Sequence, residues 1–223
     1  MKKTLLPLCL LVALPFVLRA AEPKFVSELF KTGTLVYADD FNGELNSERW
    51  GASKGQKIEK GKLIIEPRFT NREEAMKALN RDHHLGLEPV GHLNKIPEKF
   101  VCHMRFKFEK PELTPGRPSF QIGHHMIHLG HLEGGGHRIK LPHDGPIFTE
   151  SESSLKLGEW TDLVIEYKKG AIRIGVNGQA KTYTHEKVTI VNEKDKLGPR
   201  FTFKGGPECR ILFDSVRLWS CED

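Results

Sequence analysis

The sequence predicts an all-β fold, a sandwich of antiparallel strands. Short stretches with alternating apolar and polar residues recur along most of the 223-residue chain. Glycine- and asparagine-rich turns separate these stretches, as in antiparallel hairpins. Only residues 71–80 have the apolar spacing of a helix, so the regular alternation of strands and helices that indicates a parallel sheet is missing.

The strands of the N-terminal half are short, with one exception. Residues 35–37 begin the first strand, and residues 57–66 predict two short strands joined by a turn. Residues 100–108 alternate over their whole length, which predicts one long strand with a single apolar side. Residues 119–129 and 137–141 predict a strand pair whose connection carries three successive glycines.

The C-terminal half gives the clearest pattern. Further strands are predicted at residues 160–167, 171–176, 179–184, 197–203 and 210–219. Asn177-Gly178 is a strong signal for a two-residue hairpin turn. The alternation changes phase near Asp214-Ser215, which predicts a bulge or bend in the last strand.

Residues 1–21 have the three parts of a cleavable signal peptide. Two lysines form a positive start, residues 5–18 are apolar and uncharged, and Ala20-Ala21 offers small residues for cleavage. The apolar stretch is shorter than the about 20 residues that span a bilayer, although a retained anchor is the alternative. We therefore expect an exported protein, periplasmic or extracellular, with a leader at residues 22–34 and one domain at residues 35–223.

The charge balance gives no support for nucleic-acid binding. The chain has 34 Lys and Arg against 29 Asp and Glu, a net charge of +5. Three of the basic residues lie in the predicted signal peptide, so the other 202 residues carry 31 basic and 29 acidic groups, a net charge of +2. Nucleic-acid binders have a much larger basic excess. No second apolar stretch approaches membrane length, so no membrane association is expected after cleavage.

Three cysteines lie beyond the predicted signal peptide: Cys102, Cys209 and Cys221. An odd number permits one disulfide and one free thiol. Cys209 and Cys221 flank one predicted strand, whose ends are too far apart for a direct bond. Two alternatives remain, a bridge from Cys102 to one of the other two or three reduced, buried thiols.

The order of several short motifs resembles the concanavalin A-like jelly rolls. These motifs are residues 37–43 (YADDFNG), Trp50, residues 61–63 (GKL), the G-x-W run at residues 158–160 and the closing run at residues 213–218. The sequence is similar in this order to laminin-G-like modules and to the bacterial 3-keto-disaccharide hydrolase type domain. Through Asp82-His83-His84 it also resembles exported proteins of planctomycete and verrucomicrobial type. The resemblance implies two antiparallel sheets and a carbohydrate-related, hydrolase-like function.

One motif of the active relatives is missing. Laminarinase-type members of the resembled family carry E-x-D-x-x-E on one strand, where alternation puts the three acidic side chains on the same face. Here Glu193-Lys194-Asp195 begins such a motif, but the final Glu does not follow. The sequence therefore does not predict a retaining glycosidase of that type, while a pair of carboxylates distant in sequence remains open.

Histidines are concentrated in the middle of the chain, where ten of the eleven lie between residues 83 and 143. Alternation puts His124 and His128 on the same side of their strand. His103 lies on the polar side of its own strand. If the two strands are neighbours, these three side chains meet on the open, concave face of the sandwich.

Other polar residues are expected near the same face, because a loop carries His83 and His84 and the strand at residues 137–141 carries Arg138 beside Lys140. The predicted substrate-binding residues are His83, His84, His103, His124, His128 and Arg138. Three interpretations remain: a transition-metal site, a hydrogen-bonding or acid–base site for sugars, and a scatter of surface histidines. The two basic residues could serve an acidic ligand or could simply be solvated.

Two further groups of residues have alternative roles. Asp40 and Asp214 are candidate ligands for a structural calcium ion, because the first and last strands of such sandwiches often pair. Alternatively, Asp40 helps to form a turn and Asp214 lies in a bulge, with no metal ion bound to either. Trp50, Trp160 and Trp219 could stack on sugars, but their apolar neighbours favour the core.

The sequence thus predicts an exported carbohydrate-binding or carbohydrate-active jelly roll with a polar, histidine-rich concave face. Its expected partner is a carbohydrate or a cell-surface glycan. The alternative is a non-catalytic interaction module that binds a protein or another cell-surface partner. Fold alone does not decide between an enzyme and a binding module.

Overall fold

The computed structural model describes residues 24–51, 55–114 and 116–223, so the predicted signal peptide lies outside the described residues. Two helices are present in the described parts of the chain, α1 (Ser47–Trp50) and α2 (Arg72–Leu79). The second confirms the one helix that the sequence predicts, and Asn71 caps its start by accepting a hydrogen bond from the backbone of Glu74. Neither helix is long and apolar enough to cross a membrane.

The larger sheet has eight antiparallel strands. They are β1 (Thr32–Asp39), β2 (Gln56–Ile58), β3 (Leu63–Ile65), β5 (Phe100–Glu109), β10 (Thr161–Lys168), β11 (Ala171–Val176), β12 (Gln179–Thr184) and β14 (Arg210–Glu222). Their spatial order is β12-β11-β10-β5-β14-β3-β2, and β1 also pairs with β14. The turn between β11 and β12 falls on Asn177-Gly178, and the register of β14 shifts between Phe213 and Ser215. Both features confirm sequence predictions.

The smaller sheet has six antiparallel strands. They are β4 (Val90–Leu93), β6 (Ser119–Ile122), β7 (Ile127–His131), β8 (His137–Lys140), β9 (Ile147–Glu150) and β13 (Phe201–Lys204). Their spatial order is β4-β13-β6-β7-β8-β9. The two sheets confirm the predicted fold class, an all-β sandwich of two antiparallel sheets.

Phenylalanine dominates the core between the sheets. Alternation along β5 turns Phe100, Phe106 and Phe108 inward, and all three are buried. From the smaller sheet, Phe120 stacks on Phe203 with ring centroids 4.4 Å apart. Burial of each such side chain stabilises the fold by about 2 kcal/mol. The inward side of each strand is thereby apolar, and the polar residues of the smaller sheet occupy its outer face.

The segment before β1 packs on the outer face of the larger sheet. Phe30 is buried there in a cluster with Trp219. A buried carboxylate of β10, Glu166, accepts hydrogen bonds from the Ser27 hydroxyl (2.6 Å) and from the backbone nitrogen of Leu29 (2.8 Å). The segment predicted as a leader therefore contacts the domain closely, and β1 begins at Thr32.

Cys102, Cys209 and Cys221 are buried free thiols. Cys102 belongs to the core between the sheets, whereas Cys221 lies in the cluster on the outer face of the larger sheet. Burial raises the pKa of the Cys209 and Cys221 thiols to about 11. These three cysteines therefore match the second alternative, three reduced and buried thiols. Burial also disfavours the thiolate, which is the reactive form of cysteine.

Candidate functional site

Two rows of side chains cross the outer face of the smaller sheet in register. The histidine row consists of His92, Thr202, Gln121, His128 and Lys140, one from each of five successive strands. The glycine row consists of Lys204, Ser119, Gly130 and Arg138, one from each of four strands. Because neighbouring strands lie about 4.8 Å apart, the histidine row extends over about 19 Å.

The alternation of each strand explains why these side chains point outward. Phe201 and Phe203 are fully buried in the core, so Thr202 and Lys204 between and after them project from the opposite side of β13. In β7, His128 lies between two buried core residues in the same way. Apolar packing thus fixes the direction of the polar residues, and strand pairing aligns them.

None of the outward positions of the six strands carries an aspartate or a glutamate, and all of these positions lie within the described residues. A retaining glycosidase needs two carboxyl groups about 5–5.5 Å apart on either side of the scissile bond. The outer face of the smaller sheet does not supply such a pair. This agrees with the missing acidic motif in the sequence.

An open groove of about 1000 Å³ lies over the half of this face formed by β6, β7 and β8. Its floor includes Ser119, His128 and Arg138. Gly130 lies in the middle of the floor, where a Cβ atom would be 3.5 Å from the Arg138 Nε atom. The arginine side chain therefore extends across the glycine, and the floor stays flat at this point.

A buried ionic cluster borders the other half of the face. Asp195 Oδ2 accepts a hydrogen bond from Arg200 (2.7 Å) and lies 2.9 Å from His124 Nδ1. The ring of His125 packs against that of His124, with centroids 4.0 Å apart. The Asn192 amide donates to the backbone oxygen of His124 (3.1 Å), which holds this turn against the sheet.

The histidines of this face are held in the neutral form. Burial, with help from nearby Arg200, lowers the pKa of His92 to about 4, and its Nδ1 atom forms a hydrogen bond with the Thr202 hydroxyl (3.1 Å). Burial also lowers the pKa values of His124 and His128. Near neutral pH these rings act as hydrogen-bond donors and acceptors without charge.

The structure places the sequence-predicted residues in three locations. His128 and Arg138 line the groove, and His124 belongs to the ionic cluster beside it. His83 and His84 lie on an exposed loop, where His83 Nδ1 is 3.0 Å from Asp82. Burial lowers the pKa of His125, and the nearby cationic groups, among them His84, lower it further.

The expected meeting of His103 with His124 and His128 is wrong. His103 belongs to β5, which pairs with β10 and β14 in the larger sheet. Its ring packs against Trp219 on the outer face of that sheet, with centroids 4.9 Å apart. Alternation correctly gave the polar side of its strand, but β5 and β7 belong to different sheets. The prediction that His124 shares a strand with His128 is also wrong, because His124 lies in the turn between β6 and β7.

The calcium hypothesis on Asp40 and Asp214 stays a prediction. Asp214 is already engaged, because Lys62 donates to it at 3.0 Å and Arg105 lies 3.6 Å away. Across the described residues no group of three or more His, Cys, Asp or Glu side chains converges as metal ligands do.

Several residues of this face escaped the sequence reasoning. His92 stands at one end of the histidine row, followed by Thr202 and Gln121. The alternation of apolar and polar residues in β6 and β13 indicates the outward direction of Gln121 and Thr202, whereas β4 has no such pattern. Trp160 also differs from the expectation of a core residue, because it is half-buried beside the cations of Lys62 and Arg105. Trp50 and Trp219 are buried as expected.

Comparison with known proteins finds similarity at the level of the fold. No protein-family model matches the sequence, and no curated protein matches it significantly. A solved structure of SCLam, a non-specific endo-β-1,3(4)-glucanase from family GH16, is similar with a TM-score of 0.56 and 14% identity, over 90% of this chain and 95% of that chain. The fold is a concanavalin A-like jelly roll.

A second structure supports the same fold. It comes from a study of endo-acting O-glycanases of human gut bacteria that initiate mucin breakdown, and it is similar with a TM-score of 0.56 and 10% identity, over 85% of this chain and 100% of that chain. Identities this low carry the fold and leave function to the residues of the site.

Proposed function

We propose that this chain is an exported carbohydrate-binding protein that holds a saccharide along the outer face of the smaller sheet. The observation that carries the proposal is the open groove on this face, to which the histidine row contributes the half-buried His128 and the exposed Lys140. Gln121 and Thr202 of the same row are buried beside it. Sugars present many hydroxyl groups that both donate and accept, and neutral imidazole, amide and hydroxyl side chains match them. The form of residues 1–21 supports action outside the cytoplasm.

Binding is favoured over hydrolysis because the strands of this face carry no pair of carboxylates at their outward positions. Its outward positions have neither a nucleophilic carboxylate nor an acidic partner, as described above. The two carboxylates that line the groove, Glu133 and Glu159, lie on loops, whereas the strands of its floor offer His128 as a neutral group and Arg138 as a cation. These groups bind and orient a saccharide without cleaving it by a two-carboxylate mechanism.

Acid–base catalysis is the second candidate function, because Asp195 holds His124 as an orienting carboxylate holds a catalytic imidazole. Turnover of a bound glycan that is lost in a His124→Gln variant would favour this alternative.

Replacement of His128 by alanine is expected to weaken glycan binding about fivefold. It removes a hydrogen-bonding ring from the groove floor, and one such bond is worth about 1 kcal/mol, or a factor of about five in affinity. The measurement is an array of neutral and charged glycans, followed by titration calorimetry with the bound ones.

The matched control is His103→Ala, which removes another half-buried histidine from the outer face of the other sheet. It is expected to change affinity less than twofold. Failure of the folded wild-type protein to bind any glycan, or equal losses in the two variants, would contradict the proposal.

A further inference from the structure

Several basic residues on the outer face of the larger sheet are neutralised by an acidic group, whereas two on the outer face of the smaller sheet are not. On the outer face of the larger sheet, Arg105 is 2.8 Å from Asp162, and Arg173 is 3.3 Å from Glu166. On the smaller sheet, Arg138 and Lys140 are exposed, and neither has an ion pair within the described part of the chain. Their separation of two residues along β8 puts both cations on the same side.

The groove concentrates positive charge. Its lining includes Arg117, Arg138, Lys140 and Lys156 against Glu133 and Glu159. Four cations against two anions give a local excess of two, as large as the excess of the whole chain beyond residue 21. Some of this charge is neutralised at the rim, where Arg117 is 2.9 Å from Glu88 and Lys156 is 3.9 Å from Glu159. The unpaired cations are therefore those of the floor.

The shape of the floor leaves these cations open to a ligand. Gly130 has no side chain to shield the guanidinium that crosses it, and its neighbour in the glycine row is the small Ser119. A guanidinium in this position can offer two parallel N–H donors to one sulfate or carboxylate group. His128 stands directly opposite Lys140 in the strand pairing and adds a neutral group beside that cation.

The lining also indicates what kind of anion fits. No Phe, Tyr or Trp is present among the described residues that line the groove. Binding of single-stranded nucleic acid depends on such rings for base stacking. Neutral sugars gain affinity from stacking on the same rings. A groove without them must obtain affinity from charge-assisted hydrogen bonds.

We propose that the saccharide held in this groove is an anionic polysaccharide whose sulfate or carboxylate groups contact Arg138 and Lys140. The inference rests on the proposed function, because it names the class of carbohydrate that the same face binds. Arg138 binds one oxyanion as a fork, and Lys140 binds the next along the chain of sugars. His128, which is opposite Lys140 in the strand pairing, binds a hydroxyl group beside that cation.

The test compares polysaccharides that share a backbone and differ in charge. Titration calorimetry at about 50 mM salt uses dextran sulfate against dextran, and polygalacturonate against its methyl ester. The wild-type protein is expected to bind at least one charged member at least tenfold more tightly than its neutral counterpart. The charged member that binds distinguishes sulfate from carboxylate recognition.

Two double variants with the same change in charge make the test specific. Arg138→Gln/Lys140→Gln removes the cations of the groove floor, and Lys60→Gln/Lys169→Gln removes two exposed lysines in turns elsewhere. The groove variant is expected to lose at least tenfold in affinity, and the control variant less than twofold. All four positions are at the surface, so both variants are expected to fold, which the urea midpoint checks.

Each other outcome overturns the proposal in a recognisable way. Equal losses in the two double variants would mean diffuse electrostatic attraction only. Equal binding of a single-stranded DNA oligonucleotide would mean a general polyanion site. Binding of neutral glycans that the groove variant retains would overturn the anionic ligand and leave the proposed function standing. Binding of no glycan at all would overturn both.

Discussion

Acidification from pH 7 to pH 5 is expected to lower the free energy of unfolding by about 4 kcal/mol through two half-buried histidines, His92 and His131. Burial lowers the pKa of His92 and of His131 to about 4, against about 6.5 for an unperturbed imidazole. The folded protein therefore binds fewer protons than the unfolded chain below pH 6.5. Their contribution to stability is complete above pH 6.5 and is lost as the pH falls toward 4. Each ring loses about 2 kcal/mol by pH 5, since one pKa unit corresponds to 1.36 kcal/mol.

Urea unfolding at pH 7, 6 and 5 measures this effect, and His131 allows it to be assigned. Its ring lies at 5.8 Å from Phe108 in the interior, and its Nδ1 atom is buried without a hydrogen-bond partner. A His131→Leu variant is expected to lose about 2 kcal/mol of the pH dependence, while His92 and the other histidines whose pKa values burial lowers keep the rest. The control His83→Leu alters an exposed ring and is expected to keep the whole pH dependence. A flat wild-type profile between pH 7 and 5 would contradict this explanation.

Replacement of Gly123 by alanine is expected to destabilise the fold by about 3 kcal/mol. Gly123 has a φ of +72°, which costs an L-residue about 1 kcal/mol or more. An added Cβ would also lie 2.3 Å from the backbone oxygen of Ile190, so one of the two backbones must move. Because His124 follows directly, the variant is also expected to displace the turn that joins the ionic cluster to the sheet.

Gly134→Ala is the matched control for this prediction. Gly134 has a similar φ of +82°, but nothing lies within 4 Å of its added Cβ. The control is expected to lose about 1 kcal/mol, the backbone cost alone. Urea unfolding of both variants checks the difference, and equal losses would mean that contact with Ile190 is not the cause.

Local features of this fold are predictable because local geometry determines them. The alternation of residues 100–108 gives the long strand and its buried side, and Asn177-Gly178 gives the hairpin between β11 and β12. The loss of alternation near Asp214 gives the bulge in β14. Each depends on residues adjacent in the chain, where side-chain direction and turn conformation leave few alternatives.

The candidate site is less predictable because it depends on pairing between distant segments. His103 and His128 both occupy outward positions with apolar neighbours, so their local patterns are equivalent. Only the pairing of β5 with β10 and β14 sends His103 to the other sheet. The sequence does not single out His92 because β4 does not alternate: the apolar Val90 occupies its other outward position and Gly91 an inward one.

The central claim is that a saccharide lies across the outer face of the smaller sheet, and mapping the contact surface tests it most directly. Backbone amide chemical shifts, recorded while a glycan that binds is titrated into the protein, report which strands the ligand touches. The largest changes are expected in β6, β7 and β8, around Ser119, His128 and Arg138. Changes centred instead on the outer face of the larger sheet, around Trp160 and Lys62, would contradict the claim.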